Sequence, residues 1–192
     1  MTPNASSPHI RAFVSIDVEN PKILSEIASA TSTLQSIGGD LKIVDRENIH
    51  LTLKFLGYIS QSKIPAIKSS LETVKFNPFE MTLQGFGGFP TLNRMNVIWV
   101  GITTGWNEVE HIYEQTEKIF QSLGFPRETR PFSPHITVAR VRSSRNRQEM
   151  AQFLKTLQDN VLGHFQVSVV RLKQSILSSL GPKYSTLYES HA

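Results

Sequence analysis

Ile49-His50-Leu51-Thr52-Leu53 and Pro134-His135-Ile136-Thr137-Val138 carry the same phrase, His-x-Thr set in an apolar alternation. Residues two apart on a β-strand project from one face, so alternation predicts a strand with one buried side. Leu51 and Leu53 then point into a core while His50 and Thr52 point out together, and Ile136 and Val138 stand in the same relation to His135 and Thr137. With six His among 192 residues, fewer than one His-x-Thr is expected by chance.

The surroundings repeat too. Phe13, in the run Arg11-Ala-Phe-Val-Ser-Ile16, lies 37 residues before His50, and Val97, in Asn96-Val-Ile-Trp-Val-Gly101, lies 38 before His135. Phe79-Glu-Met-Thr-Leu83 begins 29 residues after His50, and Phe165-Gln-Val-Ser-Val169 begins 30 after His135. Self-similarity at fixed spacing marks a duplicated unit, here β-α-β(His-x-Thr)-α-β, with copies over about 10–88 and 96–172. The expected fold is α+β and bilobal, with pseudo-twofold symmetry. Two antiparallel sheets face a central cleft, helices lie outside, and residues 1–192 form one domain.

Between the motifs the pattern predicts helices over 21–37, 62–74, 108–123 and 146–159. Strands are predicted at 41–44, 49–56, 79–86, 96–103, 135–141 and 165–172, with a turn cluster at Gly85-Phe-Gly-Gly-Phe-Pro90. Gly181-Pro-Lys-Tyr184 reads as a turn into a last short strand, and residues 1–8 read as loose.

Composition narrows the chemistry. At 39% hydrophobic and 19% charged, the chain is that of a globular protein rather than a disordered one. No apolar run approaches the roughly 18 residues of a membrane span, and the N-terminus lacks the pattern of a signal peptide. Export is therefore not expected and a cytoplasmic location is; a monomer is expected as well. The absence of cysteine excludes disulfides, Cys-ligated metal and thiol catalysis. A net charge of +4 suits a polyanionic partner and equally suits solubility alone.

Two imidazoles and two hydroxyls on exposed strand faces form a kit for acid–base chemistry on a phosphate. One histidine activates a nucleophile and the other protonates the leaving oxygen, while Thr52 and Thr137 donate to the non-bridging oxygens. No metal and no other cofactor is needed for this. Arg127, Arg130, Arg140, Arg142, Arg145 and Arg147 crowd the second motif, either as a solvated rim or as guides for a phosphodiester backbone. Arg130 is the foremost candidate among them for substrate binding. The aromatic residues Phe13, Phe55, Phe86, Phe89 and Trp99 are expected mainly in the core rather than as base-stacking platforms.

These residues resemble the two-histidine phosphoesterase superfamily, specifically its RNA 2′,3′-cyclic phosphodiesterase branch, also described as 2′-5′ RNA ligase-like. The matching pieces include Arg11–Asp17, Glu47–Gly57, Phe86–Pro90, Val97–Gly101, Gly124–Pro126, Arg130–Arg140, Ser175 and Gly181–Tyr184. Ser178-Ser-Leu180 departs from the Gly-rich turn usual there. The resemblance implies hydrolysis of a terminal RNA 2′,3′-cyclic phosphate to a 2′-phosphomonoester. By motif position His50 is the general acid, His135 the general base, and Thr52 and Thr137 hold the phosphate. The pseudo-symmetry leaves the acid and base roles exchangeable. The alternatives are 2′-5′ RNA ligation by the reverse chemistry, hydrolysis of a small cyclic nucleotide, and RNA binding without turnover, which gains nothing from an imidazole pair.

Overall fold

The computed structural model describes residues 9–178 and 181–192. The expectation for residues 1–8, and residues 179–180 of the turn before the last strand, lie outside them. The first helix, α1 (Pro21–Ser36), shows how locally its elements are specified. Asn20 accepts from the Lys22 and Ile23 amides, Pro21 occupies the first turn, and Gly38 beyond the end takes φ +90°. Its buried stripe of Ile23, Leu24, Ile27, Ala30 and Leu34 faces the sheet.

The remaining helices are α2 (Ile64–Leu71), α3 (Trp106–Ser122) and α4 (Arg147–Thr156). The strands are β1 (His9–Asp17), β2 (Leu41–Ile43), β3 (His50–Ser60), β4 (Phe79–Phe89), β5 (Val97–Ile102), β6 (Ile136–Val141), β7 (Val161–Val167), β8 (Val169–Ser178) and β9 (Gly181–His191). All pairings are antiparallel.

The α+β architecture is as expected, but the two anticipated sheets are arms of one sheet. Its order is β7-β4-β5-β6-β3-β1-β8-β9, with β2 also on β6. The arms meet where the motif strands touch, through the single residue pair Leu51 and Ile136. Alternation reveals which way a residue faces and not which strand lies alongside, so this junction was invisible in the sequence. For the same reason the partners of the flanking strands were not foreseen. β4 follows the first motif yet pairs with β5 and β7, while β8 follows the second and pairs with β1. The expected strand 165–172 is in fact the end of β7 and the start of β8, broken at Ser168.

Two further expectations change. The last strand is 11 residues long rather than short. The glycine cluster after residue 85 is not a turn but part of β4, which runs on to Phe89. A Cβ on Gly87 would overlap the Trp99 indole, so the glycine serves close ring packing rather than reversal.

The helices cover one face: α1 packs on β6 and β7, α3 on β3, and α4 on β4. Fully buried Leu51, Ile136, Val138, Ile112 and Phe120 belong to the continuous core beneath them. The motif residues occupy the other face.

Three register shifts decide what joins them there. Opposite β1, β3 skips Leu53 and then Leu56; opposite β5, β6 skips Val138. Each bulge reverses the in–out parity downstream of it. Lys54, by alternation a neighbour of His50 and Thr52, is instead paired with Val14 and points under the sheet. Phe55 pairs with Phe13, and Tyr58 with Arg11, on the motif face. On β6 the same device brings Arg140 to the face of Thr137.

Candidate active site

His50 and His135 are held by the same local contact. The His50 Nδ1 lies 2.6 Å from the Asn48 carbonyl, and the His135 Nδ1 lies 2.7 Å from the Ser133 carbonyl, each two residues back. A carbonyl can only accept, so Nδ1 carries a proton in both rings and Nε2 is the nitrogen left for chemistry. His50 Nε2 is 3.0 Å from the Thr52 hydroxyl. Both rings are braced by aromatics: Phe13 and Tyr184 stand 4.9 and 5.3 Å from His50, and Phe89 stands edge-on 4.8 Å from His135. Asn48 also donates to the Pro182 carbonyl at 3.1 Å, tying the start of β9 to the first motif.

The electrostatic surroundings of the two arms differ. Asp17 is the cross-strand partner of His50, and Lys173 donates to its carboxylate at 2.5 Å while Arg171 lies 3.4 Å away. On the other arm Trp99 is the partner of Thr137, and two residues beyond it is Gly101, with no side chain. Burial lowers the His50 pKa from its ordinary value, and Lys173, together with His135 when that ring is protonated, lowers it further. The Asn48 carbonyl and Asp17 oppose it. That His50 senses His135 puts the two imidazoles within electrostatic reach of each other.

Thr52 and Thr137 stand on the face expected for them. Arg130 lies in the segment leading into the second motif. Its side chain is 84% exposed and donates from Nε and Nη2 to Glu128, both at 3.2 Å, holding that carboxyl down at about 2. In the structure it is the short-range partner of a loop acid, Glu128, at the solvent-exposed edge of the segment before His135. Arg145 and Arg147 are likewise tied down, to the carbonyls of Gly38 and Ser143. On the second arm the fold mounts Arg140 on the motif face, exposed, with Lys42 as its cross-strand partner. Burial raises the Tyr184 pKa, and the charges of Arg11 and Arg140 oppose that.

Phe55 is corrected. It is 68% exposed, its ring 6.3 Å from Phe13, whereas Phe13 and Phe86 are buried as expected. A signal that could have found both residues is their position: Phe55 and Arg140 each stand three residues after the motif threonine. Among the described residues, no three of His, Asp and Glu form a group able to hold a metal ion.

Beneath this face a buried ion pair fixes the approach to the second motif. Lys54 Nζ donates to Glu117 at 2.5 Å and to the Pro126 carbonyl at 3.0 Å, and Glu117 accepts from the Glu128 amide at 3.0 Å. A residue from the first motif strand and one from α3 thus hold the segment that leads into His135.

The sequence model of the LigT-like phosphoesterases matches residues 16–99 and 104–184. The chain belongs to this family. Among its relatives, a protein of Aeropyrum pernix named RNA 2′,3′-cyclic phosphodiesterase is 37% identical over 170 residues, 88% of this chain and 97% of that protein. One of the same name from Methanothermobacter thermautotrophicus is 32% identical over 180 residues, 93% of this chain and 96% of that one. The apo structure of E. coli LigT superposes with a TM-score of 0.76 at 23% identity, covering 96% of this chain and 98% of that one. The TT0787 protein of Thermus thermophilus gives 0.71 at 24%, covering 95% and 97%. These structures share the LigT-like fold. No helix of the described residues is long and apolar enough to cross a membrane.

Proposed function

We propose that this LigT-like phosphoesterase hydrolyses the 2′,3′-cyclic phosphate at the end of an RNA to a 2′-phosphomonoester. The observation that carries the reading is the mirrored pair of histidines, each with Nδ1 tied back to a carbonyl and Nε2 left for chemistry on one sheet face. The activity named for the A. pernix relative supports the substrate class. An RNA substrate favours a cytoplasmic setting, and the single continuous sheet favours one domain; the protein is read as acting as a monomer.

In this mechanism His135 Nε2 takes a proton from water as the water oxygen attacks phosphorus. The bond from phosphorus to O3′ breaks, and His50 Nε2 delivers its proton to O3′, leaving a 3′-hydroxyl and a 2′-phosphate. Thr52 and Thr137 donate to the non-bridging oxygens, Arg140 balances the charge growing on them, and Phe55 offers its exposed face to the terminal base. Hydroxyl and guanidinium donors do the work a metal would otherwise do, so no cofactor enters the scheme.

An oligonucleotide ending in a 2′,3′-cyclic phosphate, incubated in excess chelator, is the direct test. The expected product is the 2′-phosphate isomer alone, at an undiminished rate. A 3′-phosphate product, or activity restored only by an added divalent metal, would overturn the assignment.

The pH profile carries a second prediction. The His50 acid must be protonated to act, and its lowered pKa means that it sheds this proton earlier as pH rises. The alkaline fall of kcat/KM should therefore begin below the value of about 6.5 typical of free imidazole. Lys173→Met removes a charge that lowers the His50 pKa, so the fall should move to higher pH. An unmoved or acid-shifted limb in that variant would remove His50 from the role of acid.

A further inference from the structure

The motif face does not end at Phe55. Cross-strand partners share a face, so β1 and β3 present a ladder of four rungs: Asp17 with His50, Ser15 with Thr52, Phe13 with Phe55, and Arg11 with Tyr58. Successive rungs are about 7 Å apart along the strands. Only the two bulges, at Leu53 and Leu56, keep all four on one side. In a regular strand, parity counted from His50 would put Phe55 under the sheet with the core residues.

The last rung is built differently from the core-like Phe13 beside it. Tyr58 is 70% exposed, a large ring that the fold leaves uncovered, and Arg11 beside it is exposed as well. No ion pair or side-chain hydrogen bond engages the Arg11 guanidinium among the described residues. Ring and cation side by side suit one occupant, a nucleotide. The ring takes the base by stacking, which tolerates any base, and the cation takes the phosphate. A peptide or lipid surface would not account for the continuity of this rung with the phosphate site.

Resting on the reading above, we infer that Tyr58 and Arg11 form a second subsite, which binds the nucleotide immediately 5′ of the cyclic-phosphate end. The subsite gives the enzyme a preference for RNA ends over cyclic mononucleotides. The terminal nucleotide occupies the rungs of His50, Thr52 and Phe55, and the chain leaves along β3 toward Tyr58.

The test compares kcat/KM for a cyclic-phosphate oligonucleotide and for a 2′,3′-cyclic mononucleotide, in wild type, Tyr58→Ala, Tyr58→Phe and Arg11→Gln. Wild type should prefer the oligonucleotide. Tyr58→Ala should cut oligonucleotide turnover about 5- to 150-fold, through KM, the usual loss when a stacking ring is removed. Its mononucleotide rate should stay unchanged, which also reports an intact fold, and Tyr58→Phe should keep the preference. Arg11→Gln should flatten the salt dependence of the oligonucleotide KM by close to one ion. An oligonucleotide-to-mononucleotide ratio equal to wild type in both Tyr58→Ala and Arg11→Gln overturns the subsite and leaves the hydrolase reading standing. A wild type that turns over neither substrate overturns both.

Discussion

His50→Ala and His135→Ala are each expected to slow cyclic-phosphate hydrolysis by at least 10²- to 10⁴-fold, the range supplied by a single general acid or base. The two losses should not multiply in the double variant, because a displacement that lacks either proton transfer already runs by the residual route. Stability should barely change. Both rings are only half buried and lie on the open face, so truncation leaves no closed cavity in the core. The measurement is single-turnover hydrolysis beside a thermal melt of each variant. A variant that keeps a rate within a fewfold of wild type sinks the two-histidine mechanism. A variant that melts far below wild type marks that histidine as structural instead.

The second large effect is expected beneath the sheet. Lys54 and Glu117 have side chains 4% and 1% exposed and meet at 2.5 Å. Removing one partner strands the other charge in the interior, a change that costs about 3–5 kcal/mol. For a chain of this size, Glu117→Ala should therefore lower Tm by about 10 °C. The damage should also reach catalysis, because the same carboxylate receives the Glu128 amide and the same ammonium holds the Pro126 carbonyl. Lys54→Met with Glu117→Leu should recover much of the lost Tm, since an apolar pair of similar volume leaves no orphan charge. It should not recover kcat, because the anchors of the loop before His135 remain missing. If Glu117→Ala melts with wild type, the pair contributes little and the loop is held by other contacts.

Much of the site was legible because its information is local. His50, Thr52, His135 and Thr137 declared their face through a period of two. α1 declared its start through Asn20 and Pro21. What stayed hidden was set by partners distant in the chain. Leu53, Leu56 and Val138 look like any other apolar strand residues, and nothing in their chemistry marks them as the extra residue of a bulge. Unbroken alternation from His50 would set Lys54 beside it and Phe55 in the core, and the structure reverses both. Arg130 and Arg140 differ in neither type nor neighbourhood along the chain. Only the register separates the one engaged by Glu128 from the one carried on β6. The glycines of β4 resembled a turn because the indole they accommodate comes from the next strand.

The exchange of strands across the Leu51–Ile136 junction also bears on whether the molecule can be divided. β4 belongs to the first half of the chain but has both its neighbours, β5 and β7, in the second; β1 has one neighbour, β8, there as well. Cut between the halves, β4 would stand with two bare edges and β1 with one, and such edges seek a strand wherever one is offered. The two halves are therefore not tenants of separate lobes but joint owners of each, and only together can they set one histidine opposite the other.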